Sequence, residues 1–247
     1  MFERLRMTHL SIATSVALIF SAVLVGWGMS ERYRELAYEF NSQSLQRIVD
    51  SKVEQVAWRE YSNLVLETAR EISQSADLRT AIGSKDANAI ASALQNEMGR
   101  SQISSRAVVV EALTVFDPAL TPLGAIGPRA GHVLPEAVKQ AVASREGPDR
   151  LRTIWRVWND AGRPVLMGFV PIGGLRLVGY VAITTDPLHA LGKLDAELGM
   201  GVEFTSTAEG RSLRKLENYT TPPNANLTRS TVALRDMSGN QLANISM

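Results

Sequence analysis

No cysteine occurs among the 247 residues, which excludes a scaffold held by disulfides and a thiolate-ligated metal centre. Histidine is nearly as scarce, with only His9, His132 and His189. His189 follows Asp186 by one helical turn, a pair that reads as a helix-start acid and a surface imidazole. With no third ligand beside it, no metal site is expected. The Gly-x-Ser-x-Gly elbow, His-Glu-x-x-His and the phosphate-binding Gly-x-x-x-x-Gly-Lys-Ser/Thr are also missing. No catalytic set, no enzymatic activity of this chain and no cofactor are therefore expected. An excess of one charge is lacking too. The first thirty residues hold Arg4, Arg6 and Glu3, so of 26 basic and 25 acidic residues 24 of each remain beyond them. A neutral surface gains nothing from counterion release, and nucleic acid is not an expected partner.

What the chain does hold, first, is a run from Leu10 to Met29 without one charged side chain. About 20 residues at about 1.5 Å rise give the roughly 30 Å that crosses a bilayer's hydrocarbon. In lipid an unpaired backbone amide is costly, so the run is expected as a helix. The excess of positive charge lies on its N-terminal side, which places residues 1–9 in the cytoplasm and residues 30–247 outside a bacterial inner (plasma) membrane, in the periplasm or beyond. A cleaved signal peptide is the rival reading. Its apolar region would run about 7 to 15 residues and end in a small-x-small site. Here the run ends Gly26-Trp27-Gly28-Met29, with Trp27 suited to an interfacial anchor.

From Ser30 to about Ser73 there is neither proline nor glycine, and apolar residues recur in steps of three to five, mostly three and four: Ala37, Phe40, Leu45, Ile48 or Val49, Val53, Val56 or Ala57, Tyr61, Leu64 or Val65, Ala69 and Ile72. That is one stripe of a long helix, continuous with the membrane span. Such a rod cannot bury its stripe alone. It lies along its own domain, pairs with a second copy, or does both, and a homodimer-forming stalk is the expectation.

Beyond the stalk the periodicity predicts a helix from Ser75, broken at Gly83 and closed at Gly99, then strands over 107–116 and 120–126, a helix over 134–144 and a strand over 151–158. Val165–Ile172 and Leu175–Ile183 flank Gly173-Gly174, which predicts a two-residue hairpin loop with Val170 opposite Leu177 and Gly168 opposite Gly179. The paired glycines would leave a gap, either a ligand recess or the place where a helix approaches closely. A helix is expected over 186–198, a strand over 202–206, a loop over 207–226 and a second hairpin from 230 to 246. That hairpin meets the end of the chain with no closing element, so residues 207–247 read as a membrane-proximal segment cut short.

This order of elements, with Ser75-Ala-Asp-Leu-Arg-Thr-Ala-Ile, Leu113-Thr-Val-Phe-Asp-Pro-Ala-Leu-Thr-Pro-Leu-Gly and Gly179-Tyr-Val-Ala-Ile-Thr-Thr-Asp-Pro-Leu, resembles the Cache-type (double sensory, PAS-like) input domain of bacterial transmembrane receptors. The resemblance covers about residues 30–206. It implies an α+β fold in which an antiparallel sheet with flanking helices, over about residues 74–206, follows the stalk. It also implies a small solute as partner and a cytoplasmic output that the chain does not include, of the chemoreceptor, histidine-kinase or nucleotide-cyclase kind. An envelope interaction protein without a small ligand, or an anchored exterior enzyme, are the competing classes.

The densest polar-aromatic cluster is Arg150, Arg152, Trp155, Arg156 and Trp158. On a strand Arg152, Arg156 and Trp158 project to one side and Trp155 to the other. A guanidinium fork beside an aromatic wall suits a carboxylate or phosphate, so an anionic solute is the reading. Amino-acid-binding Cache domains resemble this arrangement, with an acid beyond the strand gripping the ligand amine, and Arg152, Trp155 and Asp186 are the nearest counterparts. Trp158 and Tyr180 complete the expected ligand-binding set. The bland alternative is an edge strand of solvated arginines with its tryptophans packed. The solute would enter between the sheet and its covering loops, near His132 and Asn159–Gly162.

Overall fold

The computed structural model describes residues 21, 25–34, 36–37, 39–40, 43–104, 108–131, 133–173, 176–219, 231–236 and 238–247. Most of the expected membrane span, and His132, lie outside them. Among the described residues no helix is long and apolar enough to cross a membrane. The chain divides into two compact units, Met1–Arg47 and Ile48–Met247. In the first, the described residues from 25 to 47 are helical, and Tyr33, Leu36 and Phe40 are exposed.

The second unit opens in helix. Residues 48–52 are α-helical, Val53–Tyr61 form a π-helix, and α1 spans Ser62–Ser73. The apolar stripe explains the change of winding. Val49, Val53, Ala57, Tyr61, Val65 and Ala69 are spaced by four, which on an α-helix would drift by about 40° per step. The wider π turn absorbs that drift, and all six are buried. From Val49 to Ile72 the stripe is thus buried within the chain's own second unit, its later part, Ser62–Ser73, against the strands Arg163–Gly173 and Leu177–Thr185.

Ser75 caps α2 (Ala76–Ser84), its hydroxyl accepting from the Leu78 amide, and Lys85 in the left-handed region ends it. The next helix, α3 (Ala87–Ser104), runs through Gly99 instead of stopping there, because an exposed glycine weakens a helix without breaking it.

Five strands follow: β1 (Val110–Phe116), β2 (Pro122–Ile126), β3 (Ile154–Asp160), β4 (Arg163–Gly173) and β5 (Leu177–Thr185). They form an antiparallel sheet in the order β2-β1-β5-β4-β3. One face carries the long helix. Gly168 of β4 lets α1 approach, since a Cβ there would lie 2.9 Å from Val65 Cγ1 and 3.2 Å from Leu66 Cδ2. Trp155 of β3 stacks on Trp58 across the same face, ring centroids 6.1 Å apart. The opposite face bears Phe116, Met167, Phe169, Tyr180 and Ala182. They are covered by Leu120, Leu134 and the inner side of helix α4 (Glu136–Ala143), with Trp158 half-buried beside them.

The first hairpin differs from its predicted register by four residues. Ile172 pairs with Gly179, Val170 with Val181 and Gly168 with Ile183, after a bulge at Gly173. The two glycines are therefore not partners. Gly168 serves the helix approach, and Gly179 the close passage of the Phe116 carbonyl. A tighter turn joins β3 to β4, where Ala161 and Gly162 both take positive φ, the pattern of a two-residue primed turn.

The chain after the sheet is less helical than expected. A 3-10 turn, Pro187–His189, and a short helix α5, Leu194–Leu198, replace the helix read over 186–198, with Gly192 between them and Gly199 closing α5. A second antiparallel sheet then forms from β6 (Glu203–Ser206), β7 (Ser212–Lys215), β8 (Thr231–Arg235) and β9 (Gln241–Ser246), in the order β7-β6-β9-β8. It draws in β6, which the Cache-type resemblance includes in the domain over 74–206, and β7, which lies in the expected loop. The β3–β4 turn docks onto this sheet. Asn159 Nδ2 donates to the Leu242 carbonyl at 2.8 Å and the Thr207 hydroxyl at 3.1 Å, and a Cβ at Gly162 would collide with Ser206 Oγ.

Candidate functional site

On the sheet face away from the long helix, residues 117–121, before β2, and residues 127–131 and 133–135, between β2 and α4, form an arch beside β1 and β2. Asp117 shapes its start. Its carboxylate accepts from the Ala119 and Thr121 amides at 2.9 and 2.7 Å, an Asx-type turn that holds Leu120 at φ 65°. The left-handed region costs a branched residue roughly 1–2 kcal/mol, offset here by turning the Leu120 side chain into the core cluster. Between this arch and the sheet lies a cavity of about 310 Å³, lined by Thr114, Phe116, Leu120, Ala125, Leu134 and Lys139 among others. It lies at the lower end of the about 300–1,000 Å³ usual for small-molecule sites, apolar with a few polar groups at its margin.

An ionic network ties the arch down at its other end. Arg129 Nε lies 3.5 Å from Glu111 Oε2, and Arg129 Nη1 lies 4.0 Å from Asp160 Oδ2. Arg163 Nη2 reaches Glu111 Oε1 at 3.6 Å and Asp186 Oδ2 at 3.2 Å. Gly127 turns the chain there at φ 106°, close enough to the Glu111 backbone to exclude a Cβ, and the Arg129 amide donates to the Glu111 carbonyl at 3.1 Å. Glu111 Oε2 and Arg129 Nη1 are buried without a hydrogen bond among the described residues, their ion-pair partners being too distant for one. Charges placed at the edge of a core persist only when paired, so this cluster fixes where residues 127–131 sit.

The five residues expected to bind ligand do not converge. Tyr180 and Trp158 belong to the face beneath the arch. The Tyr180 hydroxyl is held above its ordinary range by burial, against the opposing pull of Arg145 and Arg150. Trp155 is on the opposite face, stacked on Trp58. Arg152 precedes β3, its guanidinium exposed and 3.1 Å from Asp149. Asp186 caps the turn after β5, accepting from the Leu188 amide at 2.9 Å, and joins the network through Arg163. Glu111, Arg129, Asp160 and Arg163 were not among the expected residues. The one available signal was a lone carboxylate, Glu111, in the otherwise apolar run Val108 to Phe116. Among the described residues no group of His, Asp and Glu could hold a metal ion.

No family model matches the sequence, and none of the curated proteins matches it. Solved structures do. The chain is similar to the sensor domain of DcuS from E. coli, at 14% identity and a TM-score of 0.40, over 55% of this chain and 95% of that one. It is similar to the periplasmic domain of LuxQ from Vibrio cholerae, at 9% identity and a TM-score of 0.42, over 79% of this chain and 95% of that one. It is also similar to the ligand-binding domain of the chemoreceptor CtaA from Pseudomonas fluorescens in complex with L-isoleucine, at 14% identity and a TM-score of 0.40, covering 87% and 94%.

Proposed function

We propose that this chain is the extracytoplasmic ligand-sensing region of a bacterial membrane signalling receptor, chemoreceptor-like in layout, without catalytic activity of its own. The observation that carries this reading is the cavity beneath the arch, set on one face of a sheet whose other face is spanned by the helix leading back toward the N-terminal apolar run. A solute filling the cavity has differential affinity for two positions of the arch. The sheet passes that difference to the packed helix as a small displacement. The apolar residues left exposed upstream, Tyr33, Leu36 and Phe40, form the seam of a homodimer. A histidine-kinase or nucleotide-cyclase output would use the same input.

The test is a thermal-shift screen of metabolites on the full chain. A ligand at 100 times its dissociation constant adds about 2.7 kcal/mol, and for a domain of this size that amounts to a rise of roughly 5–10 °C in Tm. Ala125→Leu, which fills the cavity, should abolish the response of any hit while leaving the unliganded Tm in place. A library without a single hit, or hits indifferent to Ala125→Leu, would remove the solute-sensing reading and leave the interaction-protein class.

A further inference from the structure

Where α1 ends and β4 reaches its hairpin, a second and larger cleft opens, with a volume of about 610 Å³. Its lining includes three arginines, Arg70, Arg79 and Arg152, and no aspartate or glutamate. Val170, Pro171 and Leu151 give it an apolar wall. This composition is unusual for the chain. Outside the cleft some exposed arginines meet carboxylates, as Arg59 meets Glu54, Arg100 meets Glu97 and Arg211 meets Glu209, and others, such as Arg47 and Arg235, cap single carbonyls. In the cleft, Arg70 has no acidic partner among the described residues, and Arg79 spends its Nε on the Ser73 carbonyl at 3.4 Å, covering the negative end of α1. Behind Arg152 stand two more guanidiniums held on carbonyls instead of carboxylates. Arg145 Nη2 donates to Arg152 O at 2.7 Å, and Arg150 Nε donates to Arg145 O at 2.8 Å. Among the described residues Asp149, 3.1 Å from Arg152, is the one acid paired with any of the five.

We infer that this cleft is a binding site for a small oligoanion, an oligocarboxylate or a phosphate compound, separate from the cavity beneath the arch. Guanidiniums present paired N–H donors that match carboxylate and phosphate oxygens two at a time, and they keep their charge at every working pH. Three of them converging on one concave surface, with their carboxylate neutralisation nearly absent, concentrate positive potential on an otherwise neutral exterior. The apolar wall suits the carbon skeleton of an oligocarboxylate.

Calorimetric titration of the full chain with citrate, and separately with pyrophosphate, in low-salt buffer tests this. At least one probe should bind. The double variant Arg70→Gln/Arg79→Gln should weaken that probe at least tenfold with Tm unchanged, and raising the salt should weaken wild-type binding. Arg59→Gln, on a paired arginine outside the cleft, and Ala125→Leu, in the cavity, should both leave it intact. No heat from either probe, or affinity unmoved in the double variant, overturns the assignment. So does an equal loss in Arg59→Gln, which would show diffuse charge. Loss in Ala125→Leu alone would move the anion to the cavity and equally overturn the cleft, while leaving the sensing reading untouched.

Discussion

The Tyr61 hydroxyl lies 2.6 Å from the Thr185 hydroxyl, which in turn donates to the Val109 carbonyl at 2.8 Å. Because the single Thr185 proton is committed to Val109, Tyr61 is the donor of its own bond. The last π turn of the long helix is thereby tied to the end of β5 and the chain entering β1. Tyr61→Phe should lower the unfolding free energy by about 1–2 kcal/mol, read as a lower urea midpoint with an unchanged slope. Burial raises the Tyr61 pKa above its ordinary 10.0, with the nearby Asp186 and Glu111 carboxylates acting in the same direction. The unfolded chain therefore releases this proton first. The associated stability is whole below pH 10 and declines above it, and the phenylalanine variant should lack that decline.

His189 gives a pH dependence on the acid side. Arg214 Nη1 sits 2.8 Å from His189 Nδ1, and a guanidinium can only donate, so Nδ1 accepts and the ring is neutral. Burial first, and Arg214 second, hold the His189 pKa below 6.5. Below that pH the unfolded state takes up the proton and the folded state resists. The stability linked to this group is present above pH 6.5 and is lost as pH falls toward the folded pKa. Urea melts at pH 7.5 and 5.5 should show a drop in midpoint that His189→Gln reduces.

Arg163 bridges Glu111 and Asp186, so Arg163→Ala leaves two half-buried carboxylates short of a partner. A loss of about 1–3 kcal/mol is expected, with faster amide exchange over residues 127–131 as the arch loosens. Unchanged exchange there would mean that Gly127 and the backbone bond to Glu111 hold the arch without the ionic network.

The proposed dimer seam can be tested by crosslinking, helped by the absence of native cysteine. Phe40→Cys should yield a symmetric disulfide-linked dimer under mild oxidation of membranes carrying the full chain. Val65→Cys should not, since Val65 is fully buried against the sheet. No dimer from Tyr33→Cys, Leu36→Cys or Phe40→Cys would count against a paired stalk.

Much of the fold was legible because it rests on periodicity. The apolar recurrence from Ala37 to Ile72 announced a long helix, and the apolar runs either side of Gly173-Gly174 announced a hairpin. What it could not announce was how the stripe is used, since burial on one's own sheet and burial on a partner leave the same pattern. The hairpin register failed because a bulge at Gly173 and a longer connection replaced the tight Gly173-Gly174 turn, and no local sequence feature marks a bulge. Strand β7 escaped notice as a short, polar edge strand. The side-chain parity of Arg156, Trp158 and Trp155 on β3 was correct, yet Trp155 faces the helix because Trp58 is waiting there. The network of Glu111, Arg129, Asp160, Arg163 and Asp186 gathers from four separate stretches, so only the closed sheet assembles it.

At Gly162 a single hydrogen is all that fits between the hairpin tip and Ser206, while Asn159 grips the neighbouring sheet at two points. Surfaces seated with so little clearance do not slide past each other. Any shift of β3 and β4 drags β6 and β9 along, so the two sheets of the second unit travel together or not at all.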